Sequence, residues 1–171
     1  MAIPHITQAK LKELMDYDPE TGVFTWKVKP AKQIQIGDVA GCTSDGYVKI
    51  RVLGVLYQAH RLAWLYVHGT LPHRIDHRDG DGTNNRHGNL RECTQAQNMA
   101  NTKKHKRNTS GYKGVSWNKD AKKWTAKISI NWKMKHLGYF ETAELAHEFY
   151  CLAADMLHGE FSNHGVHKCE S

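Results

Sequence analysis

One stretch, Arg74 to Asn101, reads RIDHRDGDGTNNRHGNLRECTQAQNMAN and constrains the chain more than any other. Arg74-Ile-Asp-His77 is a short strand by composition, and it runs into a loop from Arg78 to Gly88 whose Gly80, Gly82 and Gly88 allow tight turns. Leu90-Arg-Glu-Cys93 supplies a second strand. Thr94-Gln-Ala-Gln97 fits the S/T-x-x-E/Q capping box, which starts a helix and places Asn98 in its first turn. The predicted unit is strand, loop, strand, helix.

Four polar residues stand out in that unit: Asp76, His77, Asn89 and Asn98. Hydrolysis of a phosphodiester needs a nucleophilic water, a cation to neutralise charge on the phosphate and leaving oxygen, and a group to take the water's proton. Histidine, with an ordinary pKa near 6.5, suits the last task. His77 is the candidate base, and Asp76 and Asn98 offer one anionic and one neutral oxygen ligand. Such a pair suits a hard ion that keeps several waters, so Mg²⁺ (or Mn²⁺), one per site, is expected rather than zinc. Neighbours on a regular strand face opposite sides, so Asp76 and His77 share a site only if the strand twists or ends there.

Two rival motifs fail. With Gly82 as the invariant glycine of an EF-hand, His77 falls at position one and Gly88 at position twelve, where an acid and a glutamate are needed. His73 to His77 has H-x-x-x-H spacing but no glutamate, and it follows Pro72 instead of lying within a helix.

The combined pattern resembles the H-N-N variant of the HNH endonucleases. It is most similar to phage and intron-encoded homing enzymes, whose stretch reads H-R-L-x-W, I-D-H-x-D-G-D-x-x-x-N-R and N-L-R-x-x-T-x-x-Q-N. The likeness covers Ala59 to about Asn101. It implies a ββα-metal fold with His77 as general base, Asp76 and Asn98 as metal ligands, and Asn89 bracing the loop that orients His77. It also implies products with 5′-phosphate and 3′-hydroxyl ends. His60, at the head of the helix before this stretch, is either a phosphate or metal contact or a structural histidine.

Before this stretch the chain reads as a small β-rich scaffold. Thr7 to Met15 is a short helix, followed by strands at Val23 to Val28, Asp38 to Ala40 and Tyr47 to Leu53. Tyr57 to His68 begins as strand and becomes a helix with Leu62, Ala63, Leu65 and Tyr66 on its apolar face, stopped by Gly69 and Pro72.

Charge distinguishes the later part. From Asn101 to Lys135 eleven Lys or Arg stand against one acid, Asp120, a surplus greater than the +7 of the whole chain. With Trp117, Trp124 and Trp132 interleaved, that segment points to a polyanion. Lys103, Lys104, Lys106 and Arg107 form a basic linker suited to a phosphate backbone. Beyond it lie three strands, at 114–117, 123–130 and 133–140. A helix from Thr142 to about Leu157 follows, with Leu145, Ala146, Phe149, Leu152, Ala153 and Met156 along one face.

This part, from Asn108 to Asn163, resembles the apetala-2/ethylene-response-factor (ERF) DNA-binding domain. Tyr112-Lys113-Gly114-Val115, Trp124 and Gly138-Tyr139-Phe140 carry the likeness. It implies a three-stranded antiparallel sheet laid in the major groove of double-stranded DNA, backed by one helix, with Lys113, Ser116, Trp117, Lys119, Trp124 and Lys127 in contact. Lysine and serine stand where arginines are usual in that family, which favours backbone contact over base reading.

The expected architecture is α+β: a β-rich scaffold and a ββα-metal nuclease fold within 1–104 (core about 59–104), then an ERF-like domain over 105–171. Cys42, Cys93, Cys151 and Cys169 form no C-x-x-C pair, and Met1 to Asp16 is not an export leader, so reduced thiols and a cytoplasmic location are expected, the host's if the chain is phage-encoded. No run of about 20 apolar residues exists, so no membrane partner is expected, and no protein partner is implied. The expected activity is metal-dependent DNA cleavage of the homing type. The alternative is a non-catalytic DNA-binding regulator carrying a relic of the same fold.

Overall fold

The computed structural model describes residues 6–105 and 107–165; Lys106, Cys169 and the first five residues of the N-terminal segment lie outside them. The chain divides into two compact units, Met1–Cys93 and Thr94–Ser171.

The first unit begins with helix α1 (Gln8–Leu14), where the Thr7 hydroxyl accepts from the Lys10 amide at 3.2 Å. Strands β1 (Met15–Tyr17) and β2 (Phe24–Trp26) pair antiparallel around a turn in which the Gly22 amide donates to Asp18 O at 2.8 Å. A three-stranded antiparallel sheet follows, β3 (Cys42–Ser44), β4 (Tyr47–Val52) and β5 (Val55–Gln58), in sequence order. Its two hairpins turn through Asp45-Gly46 and Leu53-Gly54, all four at positive φ, the conformation that matches the twist of the flanking strands. The strand expected at Asp38 to Ala40 is reduced to a single bridge, Val39 to Thr25, because Val39 is exposed and has no second partner strand to bury it.

Helix α2 (Ala59–His68) buries Ala59, Leu62, Ala63 and Leu65 and ends at Gly69 in the left-handed region. Strands β6 (Ile75–His77) and β7 (Leu90–Glu92) form a separate antiparallel pair. Leu11, Met15, Phe24, Ile50, Val52 and Leu62 sit at the centre of this unit's core.

The second unit opens with α3 (Gln95–Ala100), started by the reciprocal Thr94 and Gln97 capping box. The contact division falls after Cys93 instead of after residue 104. The reason is local: Lys113 Nζ donates to Ala100 O at 2.9 Å and Asn163 Nδ2 to Asn101 O at 2.9 Å, which ties the end of α3 to later residues. Strands β8 (Val115–Asn118), β9 (Lys123–Ile130) and β10 (Lys133–Phe140) form an antiparallel sheet with β9 in the middle, and α4 (Ala143–His158) packs on it.

The large side chains of the apolar face read along α4 turn outward. Ala143, Ala146, Tyr150 and Ala154 are buried, whereas Leu145, Phe149, Leu152 and Met156 are exposed. The helix is apolar around more than half its circumference, so periodicity offers two stripes, and the one with small side chains lies closer to the sheet. Tyr150 fills the space over Gly114, where a Cβ would collide with its ring. Among the described residues no helix is long and apolar enough to cross a membrane.

Candidate active site

The β6 and β7 pair sets Asp76 opposite Arg91 and His77 opposite Leu90. All three residues of β6 are buried, so this strand is covered on both faces. Arg91 donates to Asp76 Oδ2 from Nε at 3.0 Å and Nη2 at 2.8 Å, a buried fork that fixes the carboxylate.

His77 turns to other partners. Its ring lies 4.9 Å from that of His60, at 82°, and 6.0 Å from that of Tyr47. Its Nε2 is 3.4 Å from Asn85 Oδ1. Asn85 is itself buried; its Nδ2 donates to Thr83 O at 3.1 Å, which leaves its oxygen to face the imidazole. Burial lowers the His77 pKa, against the raising influence of the Asn85 hydrogen bond and of Asp79, Asp76 and Asp81. His60 is pushed further, down to about 3, by burial and by the nearby His77 and Arg61. Two neutral imidazoles therefore share this pocket at ordinary pH.

The loop between the strands is fixed by its own polar residues. Asn89 Nδ2 donates to Asp79 Oδ1 at 3.0 Å and to Asn84 O at 2.9 Å, while its Oδ1 accepts from the Asp79 amide at 3.2 Å. Asp81 Oδ1 accepts from the Thr83 amide and hydroxyl at 2.9 and 2.7 Å. Asn89 thus clamps the loop, and Asn85 is the side chain that meets His77.

A second grip comes from the N-terminal hairpin. Tyr17 OH donates to Asn85 O at 2.7 Å, and the His87 amide donates to Pro19 O at 2.9 Å. Gly22 lies so close to the backbone of Asn85 and Arg86 that a Cβ there would overlap it. Tyr17, Tyr47, Asn85 and Arg91 were not among the sequence candidates. Two of them carry a signal as fixed positions of the motif quoted above: Asn85, before Arg86, and Arg91, in Asn89-Leu-Arg91.

Asn98 sits half-buried in α3 of the second unit, its amide donating to Thr94 O at 3.0 Å. Among the described residues no three His, Cys, Asp or Glu side chains converge as a metal cluster.

The basic candidates fall into three groups. Lys103, Lys104, Arg107, Ser116, Lys119 and Lys127 are exposed. Ser116 and Lys127 lie on the sheet face opposite Val115 and Ala126, so they are open to a partner. Trp117 and Trp124 pair across β8 and β9 with rings 5.3 Å apart, and Trp124 packs against the core, which makes it a structural tryptophan; Trp117 is half exposed. Lys113 is not displayed to solvent: its ammonium donates to Ala100 O and to Asn163 O at 2.8 Å, and burial lowers its pKa to about 8.

The HNH endonuclease family, HNH_3, matches residues 57–100, the segment from the end of β5 through α3 that holds Asp76, His77, Asn89 and Asn98. Protein 3.8 of Escherichia phage T7 is 32% identical over 105 residues, covering 60% of this chain and 86% of the phage protein. No solved structure matches the chain. Residues 57–100 match the HNH endonuclease family, and the chain as a whole belongs to the family of phage T7 Protein 3.8.

Proposed function

We propose that the chain is a divalent-metal-dependent endonuclease of the homing type that hydrolyses double-stranded DNA. The observation that carries the reading is the state of His77: buried, held by His60, Tyr47 and Asn85, and kept neutral by burial, beside an acid fixed by Arg91. A neutral imidazole accepts a proton; a charged one does not. His77 is the group that takes the proton from the attacking water, with Asn85 Oδ1 3.4 Å from its Nε2. Asn89 holds the loop so that this ring keeps its aim.

Asp76 and Asn98 are the oxygen donors for the cation, Mg²⁺ or Mn²⁺, which when bound neutralises charge on the phosphate and the departing oxygen. Their hard-oxygen chemistry suits such an ion. The three-stranded sheet backed by α4 supports the ERF likeness of the second unit, and the exposed Ser116, Lys119 and Lys127, with Lys103, Lys104 and Arg107, are its proposed DNA contacts.

Supercoiled DNA from the protein's own source, incubated with Mg²⁺ or with EDTA, tests the reading. Conversion to open-circle or linear form with Mg²⁺, abolished by EDTA and by His77→Ala, is the expected result. Binding without metal-dependent cleavage, on DNA that contains the bound site, would leave a DNA-binding regulator instead.

A further inference from the structure

Helix α4 carries an apolar stripe that nothing among the described residues covers. Leu145, Phe149, Leu152 and Met156 are 40%, 48%, 62% and 86% exposed, on a chain whose charged residues otherwise keep it soluble. Their spacing is four, three, four, the a/d repeat by which two helices form a seam. Phe149 stacks on Phe140 of the sheet with ring centroids 4.8 Å apart, so part of the stripe is held in place before any partner arrives.

We propose that this stripe is the self-association surface of the chain, pairing α4 with α4 of a second copy in parallel. Three observations favour a second copy over an unrelated partner. The first is the repeat itself, since a seam with the same residues at a and d is its own complement under a two-fold axis. The second is charge. In the register set by Leu145 and Leu152 at d, Glu148 and Asp155 take g positions and Ala146 and Ala153 take e positions. Parallel pairing sets Glu148 against Ala153 of the second copy, whereas antiparallel pairing would set it against Asp155. Asp155 is already engaged by Ser162 Oγ at 2.6 Å and by His164 Nε2 at 2.8 Å. The third is size. The four side chains leave on the order of 400 Å² of apolar surface, the range in which a patch on a monomer carries function. Two such faces with their rims approach about 1,000 Å², the lower bound of a specific interface.

The inference stands apart from the nuclease reading, since mass does not depend on catalysis. If both hold, association supplies two cleavage centres to one DNA site. The test is sedimentation equilibrium of the full chain without DNA from about 1 to about 100 µM, a range that brackets micromolar association. Wild type, Leu152→Lys and Met156→Lys are compared, with Leu152→Gln as a milder variant, and circular dichroism and a thermal melt verify folding. Wild type should approach twice the 19.5 kDa chain mass as concentration rises. The lysine variants should stay at one chain mass throughout. A wild-type chain that remains a monomer across the range overturns the proposal, and so does a dimer that survives folded Leu152→Lys and Met156→Lys.

Discussion

The imidazoles of His60 and His77 meet nearly at right angles, their centroids 4.9 Å apart, in a pocket closed by Tyr47. Both rings are buried, and both are less basic than a free histidine because burial disfavours the cation.

Acid should therefore unfold the first unit through His60. A histidine whose folded pKa lies near 3 is neutral in both states above its unfolded value near 6.5, so stability is intact there. Below pH 6.5 the unfolded chain gains a proton that the folded chain refuses, and stability falls as pH drops toward 3. At pH 5 the loss attributable to His60 is roughly 2 kcal/mol. Urea unfolding at pH 7.5 and pH 5 should show this difference in wild type, and His60→Gln should reduce it.

Arg91→Leu should be costly. It strips the guanidinium fork from a carboxylate that remains buried, a change worth about 3 to 5 kcal/mol. The double variant Arg91→Leu with Asp76→Leu should recover most of that stability while remaining inactive, which denaturant unfolding and the supercoiled-DNA assay measure together. A single variant as stable as wild type would mean that the fork contributes nothing.

Much of this arrangement was readable in the residue pattern because it is local. The Thr94 cap and the strands β9 and β10 depend on residues close to one another along the chain. What escaped was set by distant packing. The Asn85 carbonyl, in the loop that follows His77, is held by Tyr17, 68 residues earlier. Lys113 is a DNA contact by the ERF likeness, but the carbonyls of Ala100, at the end of α3, and of Asn163 converge on its ammonium. On α4 the residue pattern shows an apolar face without saying which way it turns, and the closely packed sheet takes the stripe rich in alanine.

Asn89→Ala removes three hydrogen bonds that hold the loop and none to His77. Cleavage should fall by more than about tenfold, since misplacing a catalytic group by an ångström can cost a hundredfold, while DNA affinity stays within about twofold. Hydrogen exchange at the Asp79 amide should accelerate. Unchanged exchange there would remove the clamp from the account.

The two kinds of lysine in the second unit should separate under salt. Lys127→Ala should lower the slope of log affinity against log salt by about one, as loss of one phosphate contact does. Lys113→Met should leave the slope alone and instead cost about 1 to 3 kcal/mol in unfolding free energy, because two carbonyls lose their donor. Filter binding across a salt series and urea melts distinguish the outcomes.

The contact of Gly22 with the backbone of Asn85 and Arg86 has a consequence for how this chain can change over evolutionary time. The segment that bears the family signature, 57–100, is shorter than the segment that holds its histidine in place, which reaches back to Tyr17. A motif moved alone into another chain would carry the reactive groups and leave behind the hairpin that aims them. Inheritance of this geometry is thus bound to inheritance of the scaffold, and a recombination point between Gly22 and Tyr57 would part the two.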